Sequence, residues 1–316
     1  RRDHRVSCVQ GRPCQVVGFT GVGLTSADRL QVRITCSGTT TSPAGFSDGG
    51  VVAPTDAGET YAGWTQPVTA AFGNYRLCWC GLGWSCTAAG FKMDAGELRV
   101  VGVNSGQVRT CHVLAGCRVD NILGNGLRAG DLMMVRTSCG SSAGGEVPGW
   151  PRGGVSEPAT LAGTRYSWGL SARVEADPGT YKMCWCPADH YSTCSDPSDF
   201  VVEAGDLQLK GPVHFSKNAS CVAHQSPFCI VGPFQSGFGL SPGTDKVSLL
   251  SPGRTCGVDP PDPRVGGASA GQAIQSDGLV YWPPQALPYG GAWKMCYCAD
   301  YDSPLDLDGD PCSSTQ

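Results

Sequence analysis

Cysteines at short, repeated spacing are the residues of this chain that could carry chemistry. The stretch GNYRLCWCGLGWSC (73–86) recurs as GTYKMCWCPADHYSTC (179–194) and again as GAWKMCYCADYDSPLDLDGDPC (291–312). Each copy contains a Cys-aromatic-Cys motif, preceded by a basic residue and a large apolar residue. Cysteine serves as a metal ligand, a nucleophile or half of a disulfide, so the spacing has to distinguish these three roles.

The spacing favours disulfides over both metal binding and catalysis. The chain has 18 cysteines but no CxxC pair, and its 5 histidines never form HxxxH. An even number of cysteines at recurring spacing is typical of a disulfide framework in an oxidising compartment. No cysteine is left over as a nucleophile, and no serine elbow of the GxSxG type follows a predicted strand. We therefore expect that the protein is not an enzyme and has no cofactor, except for the calcium considered below.

The cysteines divide the chain into three repeats. Each repeat has a close pair of cysteines, a third about 20–26 residues later, then Cys-aromatic-Cys and a last cysteine. We expect repeat 1 to span residues 1–102, repeat 2 residues 103–212 and repeat 3 residues 213–316. The predicted disulfide cysteines are Cys8, Cys14, Cys36, Cys78, Cys80 and Cys86 in repeat 1; Cys111, Cys117, Cys139, Cys184, Cys186 and Cys194 in repeat 2; and Cys221, Cys229, Cys256, Cys296, Cys298 and Cys312 in repeat 3.

Composition restricts the fold class and the partners. With 45 Gly and 23 Pro, the chain breaks into short apolar runs separated by turns. This pattern predicts an all-β protein made of three tandem disulfide-rich, Ig-like β-sandwich modules. The net charge of −4 does not favour nucleic acid as a partner. No apolar stretch of about 20 residues is present, so we expect no membrane span in this chain.

Strand periodicity assigns the Cys-aromatic-Cys residues to two faces. Side chains alternate with period two, so Trp79 faces the core together with the other large groups, while Cys78 and Cys80 face outward beside the basic residue. Trp185 and Tyr297 take the place of Trp79 in the other copies. Six cysteines allow 15 pairings, so the sequence leaves the connectivity open. We favour first with second, third with fourth and fifth with sixth in each repeat.

Two resemblances add to this interpretation. The phrase ADPGTYKMC (176–184) resembles the tyrosine corner of immunoglobulin-like domains, although its Cys lies one residue later than in that family. The six-cysteine pattern and closing phrases such as FVVEAGDLQLKGP (200–212) are similar to tandem cysteine-rich extracellular repeats of protist surface and structural proteins. The second resemblance implies a secreted or cell-surface array and transfers no binding or catalytic residue.

Three further features of the sequence suggest local sites. Asn218 begins an NAS sequon, which predicts a glycoprotein. Asp306, Asp308 and Asp310 offer carboxylates for calcium, although the Gly stands one place too early for an EF-hand loop and no Glu follows; a solvated acidic loop is the alternative. Repeat 3 lacks the closing apolar strand of the other repeats. Truncation of a longer array, residues missing from the sequence and a strand donated by another chain stay open as explanations.

These observations predict an extracellular structural protein. We expect a rod- or filament-forming subunit of a cell coat, appendage or extracellular fibre, located outside the cell or at its surface. The alternative is an adhesion or lectin-like surface ectodomain that binds a protein or glycan partner. Expected partners are other copies of the chain or neighbouring repeats of a longer array, with glycans as a further possibility.

Overall fold

The chain is built from short strands. The computed structural model describes residues 4–37, 42–55, 61–81, 83–140, 144–188, 194–213, 220–222, 229–232, 238–243, 245–256, 259, 271–283 and 290–298. These contain nineteen named strands and four 3-10 turns, the turns being Ser47–Gly50, Pro151–Gly154, Leu161–Gly163 and Pro197–Asp199. The predicted all-β class is confirmed. In the described part of the chain, no helix has the length and apolar character needed to cross a bilayer.

Repeat 1 forms a main sheet and a separate strand pair. The main sheet has the order β1-β7-β6-β3-β4, and β2 pairs with β5 outside it. The strands are β1 His4–Val9, β2 Cys14–Val16, β3 Arg29–Arg33, β4 Val51–Val52, β5 Tyr61–Trp64, β6 Gly73–Cys80 and β7 Met93–Val103. The Cys-aromatic-Cys motif ends the central strand β6. The closing strand β7 lies beside it, and β1 runs parallel to β7.

Repeat 2 repeats this pairing pattern. Its main sheet has the order β11-β13-β14-β8, and β9 pairs with β12. The strands are β8 Gln107–His112, β9 Arg118–Val119, β10 Gly124–Asn125, β11 Leu132–Arg136, β12 Tyr166–Ser167, β13 Gly179–Cys186 and β14 Val202–Lys210. The first strand β8 is again parallel to the closing strand β14.

Repeat 3 shows the same arrangement in part. The described sheet has the order β17-β16-β19, and β15 pairs with β18. The strands are β15 Cys229–Val231, β16 Lys246–Leu250, β17 Gln272–Ala273, β18 Val280–Trp282 and β19 Lys294–Cys298. The chain after Cys298 lies outside the described residues, so the prediction that the closing strand is missing stays untested.

A β-bulge explains the Ala-Gly step that repeats 1 and 2 share. The register between β6 and β7 shifts at Leu77/Cys78, and that between β13 and β14 shifts at Met183/Cys184, which leaves Ala95 and Ala204 as the extra residues. The next residue in repeat 2, Gly205, has φ +130°, and a Cβ there would overlap the Gln107 carbonyl of the adjacent parallel strand. Glycine is therefore required for the first strand of the repeat to dock.

In the described part of the chain, the main core consists of three apolar clusters, one centred on each repeat. Each cluster contains a buried tryptophan that lies in, or directly after, the strand preceding the Cys-aromatic-Cys strand: Trp64, Trp168 and Trp282, all at most 1% exposed. Leu77 and Met183 of the Cys-aromatic-Cys strands are also fully buried in these clusters. The predicted core face of these strands is therefore correct.

Repeats 1 and 2 share part of one core. Val9 and Val101 of repeat 1 belong, with Val103, to the apolar cluster of repeat 2. Strand β7 continues through Gly102 to Val103, and these two residues pair with β10. Strand β10 of repeat 2 therefore joins the sheet of repeat 1 by pairing with β7, which couples the two repeats through backbone pairing and buried contacts rather than through a free linker.

Polar contacts reinforce both junctions. Arg12 of repeat 1 donates to the main-chain carbonyl of Asp199 in repeat 2 and lies 3.5 Å from its carboxylate. Between repeats 2 and 3, Gly211 and Phe238 exchange two backbone hydrogen bonds of 3.0 Å. Burial, reinforced by the Lys210 charge and opposed by the Asp245 charge, lowers the pKa of His112 at this junction to about 4. His112 is therefore neutral at neutral pH.

The immunoglobulin analogy is supported only at the corner. The hydroxyl of Tyr75 donates to the Ala71 carbonyl (2.6 Å), and that of Tyr181 donates to the Asp177 carbonyl (2.5 Å). These bonds to a residue four positions upstream are of the tyrosine-corner kind. The sheets are nonetheless several, and the parallel β1–β7 and β8–β14 pairs distinguish them from an all-antiparallel sandwich. An Ig-like fold is therefore not confirmed.

The tyrosine corner of repeat 2 can be tested by removing one oxygen atom. Tyr181→Phe keeps the ring against Trp150 but leaves the Asp177 carbonyl without its donor. We expect a loss of about 1 kcal/mol in the free energy of unfolding, measured by urea denaturation with the disulfides intact. Tyr75→Phe is the matched variant in repeat 1, and we expect at least as large a loss there because the Tyr75 hydroxyl is more enclosed. Equal stabilities of wild type and Tyr181→Phe would contradict this role.

Candidate functional site

The candidate site is the disulfide-bearing face of each main sheet, opposite the apolar core. In repeat 1, Cys78 of β6 is bonded to Cys36 and Cys80 to Cys86; in repeat 2, Cys184 of β13 is bonded to Cys139 and Cys186 to Cys194. The close pairs at the start of each repeat are bonded as Cys8–Cys14, Cys111–Cys117 and Cys221–Cys229, and the bond Cys256–Cys296 completes the described set. This is the pairing that the sequence analysis favours.

Two cysteines that lie two residues apart on one strand therefore hold two different segments. Because side chains two residues apart share a face, Cys78 and Cys80 lie side by side, and each reaches a separate part of the chain. One partner is 42 residues upstream and the other is 6 residues downstream. The strand thus acts as the common anchor for both covering segments.

The cysteines lie on the face opposite the core, as strand periodicity predicts, and other chain segments cover that face around them. Cys78, Cys80, Cys184 and Cys186 are all 0% exposed. In repeat 1 the disulfides pack with Phe91 into a small apolar cluster separate from the main core. Phe200 takes the same place in repeat 2. At the Cys-aromatic-Cys motif the sheet is consequently buried on both faces, by the core on one side and by the disulfide-bonded segments on the other.

The sequence alone assigns no role to these two phenylalanines, although they recur at the same position of the repeat. Phe91 and Phe200 begin the repeated phrases that lead into the closing strands, and both are 1% exposed. Their recurrence five residues before the Ala-Gly bulge glycine was the available signal. Each ring covers the sulfur atoms from outside.

A buried arginine binds the segment that covers the cysteine face in repeat 1. Arg33 at the end of β3 is 0% exposed, and its guanidinium lies 5.3 Å from the Phe91 ring centroid. Its Nη2 donates to the Ala88 carbonyl (2.6 Å) and its Nε to Gln31 Oε1 (2.6 Å). Because Ala88 and Phe91 follow Cys86, this arginine and the Cys80–Cys86 bond hold the same segment against the sheet.

Repeat 2 uses an equivalent arginine. Arg136 at the end of β11 is also 0% exposed and donates to the carbonyls of Ser138 and Gly144, which flank Cys139. In repeat 3 the corresponding position is Leu250, which pairs with Lys294 as Arg136 pairs with Lys182. The covering segments of repeats 1 and 2 are therefore fixed by carbonyl–guanidinium hydrogen bonds as well as by sulfur.

The exposed basic residues before the cysteines tie neighbouring strands together. Lys182 Nζ lies 2.8 Å from both Glu203 and Asp206 of β14, and these hydrogen bonds raise the lysine pKa. Arg76 makes the corresponding pairs with Asp94 and Glu97 of β7. These cations therefore serve pairing between the Cys-aromatic-Cys strand and the closing strand, and at this exposure they contribute little to stability.

Each repeat also buries an aspartate one residue before β3, β11 or β16. Asp28, Asp131 and Asp245 are 1–3% exposed and accept backbone N–H groups three or four residues upstream, which closes the turn before the strand. Asp245 additionally accepts from the hydroxyl of Tyr297, the motif aromatic of repeat 3, at 2.8 Å. Burial raises the pKa of Asp131. The signal was present, because an Asp recurs in this phrase in all three repeats.

Several predicted site residues lie outside the described residues. They are Cys312, the sequon residue Asn218 and the calcium candidates Asp306, Asp308 and Asp310. Glycosylation and calcium binding stay predictions. Cys298, the predicted partner of Cys312, is disulfide-bonded.

Two kinds of reactive group, a free thiol and a metal-binding cluster, are absent from the described residues. None of the cysteines in the described ranges is free, and these ranges contain no group of three His, Cys, Asp or Glu side chains placed to hold a metal ion. The prediction that the protein is not an enzyme stays a prediction. What the disulfide-bearing face does chemically is hold chain segments in fixed positions.

Comparison with known proteins finds one relative by sequence. No family model matches the chain. Cysteine repeat modular protein B of Toxoplasma gondii is 25% identical over 294 residues, which cover 87% of this chain. The same alignment covers 4% of the relative, so the chain corresponds to a small part of that protein's length. The relative and the disulfides together indicate an extracellular or cell-surface protein at this coarse level.

Three solved structures show limited similarity. They are SGBP-B of the Bacteroides ovatus mixed-linkage glucan utilization locus in complex with a mixed-linkage heptasaccharide (14% identity, TM-score 0.20, 78% of this chain and 55% of that chain), human CDH23 EC21-23 (11%, 0.20, 73% and 81%) and a tetra-tandem repeat from the extending region of a large adhesion protein (8%, 0.18, 93% and 74%). TM-scores of this size do not establish a shared fold.

The two disulfides of the cysteine face should stabilise repeat 2 unequally. The Cys139–Cys184 bond closes 45 residues and the Cys186–Cys194 bond closes 8. Loop-closure entropy predicts a loss of about 4 kcal/mol for Cys139→Ala/Cys184→Ala and about 2.6 kcal/mol for Cys186→Ala/Cys194→Ala. Guanidinium denaturation of the non-reduced variants measures both values. An equal or larger loss for the short bond would show that the bonds act mainly through contacts in the folded state.

Proposed function

We propose that this chain is a segment of an extracellular structural array, in which three disulfide-stapled β-sandwich modules follow one another as a stiff rod. Each main sheet and its facing strand pair would form one module, and the Cys-aromatic-Cys strand would anchor the covering of its outer face. The array would belong to a cell coat, appendage or extracellular fibre. The cysteine-repeat relative, of which the chain covers 4%, supports a place within a much larger protein.

The observation that carries this proposal is the shared core between repeats 1 and 2. Val9, Val101 and Val103 join one apolar cluster across the predicted boundary, and β7 pairs on both sides of it. A boundary held by buried apolar groups and continuous backbone pairing resists bending, whereas tandem domains on polar linkers move freely. Repetition of such a boundary transmits orientation from one repeat to the next, as in other quasi-one-dimensional repeat proteins.

The disulfides suit the same role. An extracellular scaffold is exposed to proteases, which cut locally opened chain segments. In repeats 1 and 2, sulfur bridges and a buried arginine close the segments over the sheet. Such bridges restrict the local opening that proteolysis requires.

Stiffness at the first junction can be tested by a matched pair of double variants. Val103→Ala/Arg12→Ala removes a buried junction contact and the ion pair to Asp199. Val6→Ala/Arg5→Ala removes the same atoms from a buried and an exposed position within repeat 1. We expect the first variant to lose about 2 kcal/mol of the free energy that apolar burial contributes at the junction. Negative-stain electron microscopy should therefore show a broader distribution of angles between repeats 1 and 2 for this variant than for wild type or the control.

Wild-type particles with widely varying angles between repeats would contradict the stiff-rod proposal. If the particles are straight rods that do not associate at high concentration, the stiffness part of the proposal is supported and self-assembly into fibres is contradicted. In that case the alternative function, an adhesion ectodomain that presents its surface to a partner, would gain support.

A further inference from the structure

Repeat 2 contains a surface cleft beside the β9–β12 strand pair that none of the roles above uses. Its volume is about 450 Å³, within the range of pockets that bind small ligands. The lining includes two arginines, Arg118 and Arg165, and the hydroxyl residues Thr160, Ser167 and Ser171. A second cavity of similar volume, beside Arg254 and Trp293, is more open and contains one arginine where this cleft contains two.

The two arginines of this cleft share one carboxylate. Arg118 Nε lies 3.2 Å from one carboxylate oxygen of Asp120, and Arg165 Nε donates to the other. Arg109 donates from its Nε to the Asp120 carbonyl (2.9 Å) and from its Nη2 to the Asn121 carbonyl (2.5 Å). Two guanidinium groups therefore hold the Asp120 carboxylate, while Arg109 holds the main chain beside it. Asp120 lies outside the cleft lining, whose acidic residue is the exposed Glu157.

The two lining arginines keep their outer nitrogens available. Each uses Nε on Asp120, and no described residue accepts from the Nη groups of Arg118 or Arg165. Their side chains are 13% and 35% exposed, so both are held in place by the protein yet reachable from the cleft. A guanidinium whose orientation is already fixed loses little conformational entropy when it binds an anion, and its fork matches a carboxylate or sulfate group.

The rest of the lining suits a sugar. Ser167 Oγ accepts the Gly169 N–H (3.1 Å), which leaves its own hydroxyl hydrogen to donate. Thr160 and Ser171 are exposed hydroxyls in the same wall. Pro158 and Leu170, the latter 56% exposed, provide an apolar surface for the C–H groups of a pyranose ring. Hydroxyls, a small apolar surface and two oriented cations are the complement of an acidic saccharide.

We propose that the cleft of repeat 2 binds an acidic glycan, with Arg118 and Arg165 holding a carboxylate or sulfate group and the hydroxyl residues contacting the ring. Glycan binding in this cleft does not depend on the stiffness of the chain. Evidence against the stiff rod would therefore leave this proposal intact, and evidence against glycan binding would leave the rod intact. The ligand would be presented by another molecule at the cell surface or in the surrounding matrix.

Binding is measured on the whole chain by biolayer interferometry. The immobilised probes are a heparin-derived octasaccharide for sulfate, an oligogalacturonate for carboxylate, neutral dextran and a polyglutamate peptide. We expect binding to one or both acidic saccharides, a fall in affinity as salt is raised, and no binding to dextran. The stronger of the two acidic probes identifies the anionic group.

Two sets of variants test the residues. Arg118→Gln/Arg165→Gln should weaken binding at least about 10-fold, because both charge-assisted contacts are lost. Lys92→Gln/Arg152→Gln removes the same charge from exposed positions outside the cleft lining and should change affinity less than about 2-fold. Ser171→Glu places a negative charge in the cleft wall and should weaken binding about 10-fold, whereas Ser171→Gln, of equal size, should not.

The exposed position of Ser171 keeps the test valid if the arginine variant fails to fold, which circular dichroism would reveal. The proposal is overturned if the wild-type chain binds neither acidic saccharide, or if the two control substitutions reduce binding as much as their partners. Equal binding of polyglutamate would overturn the assignment to a glycan and indicate an acidic peptide instead.

Discussion

Two cysteines, two residues apart on the central strand, are the constraint on which the rest of repeats 1 and 2 depends. Strand periodicity forces Cys78 and Cys80, or Cys184 and Cys186, onto one face, and each bonds a different segment. Those segments bury a face that an ordinary two-sheet protein leaves to solvent. A repeat of about 100 residues thereby obtains a second small apolar cluster around the cysteines of its Cys-aromatic-Cys strand.

This double burial accounts for other features of the repeats. Burying an arginine is costly, and hydrogen bonds from Arg33 and Arg136 to carbonyls of the segments that the disulfides hold offset part of this cost, although Arg33 Nη1 has no hydrogen-bond partner among the described residues. The bulges at Ala95 and Ala204 let the closing strand follow the Cys-aromatic-Cys strand past the disulfides. Where repeat 3 has Leu250 in place of the arginine, its described covering rests on Cys256–Cys296 without the guanidinium hydrogen bonds.

The sequence predicts much of this fold because cysteine spacing and strand periodicity are local signals. The three repeats of six cysteines, the core position of Leu77 and the all-β class follow from them. The parallel docking of β1 on β7 is a long-range contact that no local pattern encodes. The burial of the cysteine face depends on Phe91 and Arg33, which look like ordinary strand-flanking residues until the covering segment is in place. The arginine cleft brings together Arg118 and Arg165, which are too far apart in the sequence to form a motif.

Disulfide mapping tests the central claim most directly. The non-reduced chain is unfolded in guanidinium chloride with its thiols blocked, then cleaved after Trp79 and Trp185 so that the two cysteines of each Cys-aromatic-Cys motif fall on separate peptides. Mass spectrometry should recover Cys78 linked to Cys36 and Cys80 linked to Cys86, with Cys184–Cys139 and Cys186–Cys194 in the second repeat. Free thiols at Cys78 and Cys80, or links that join Cys78 to Cys86 and Cys80 to Cys36, would contradict the account.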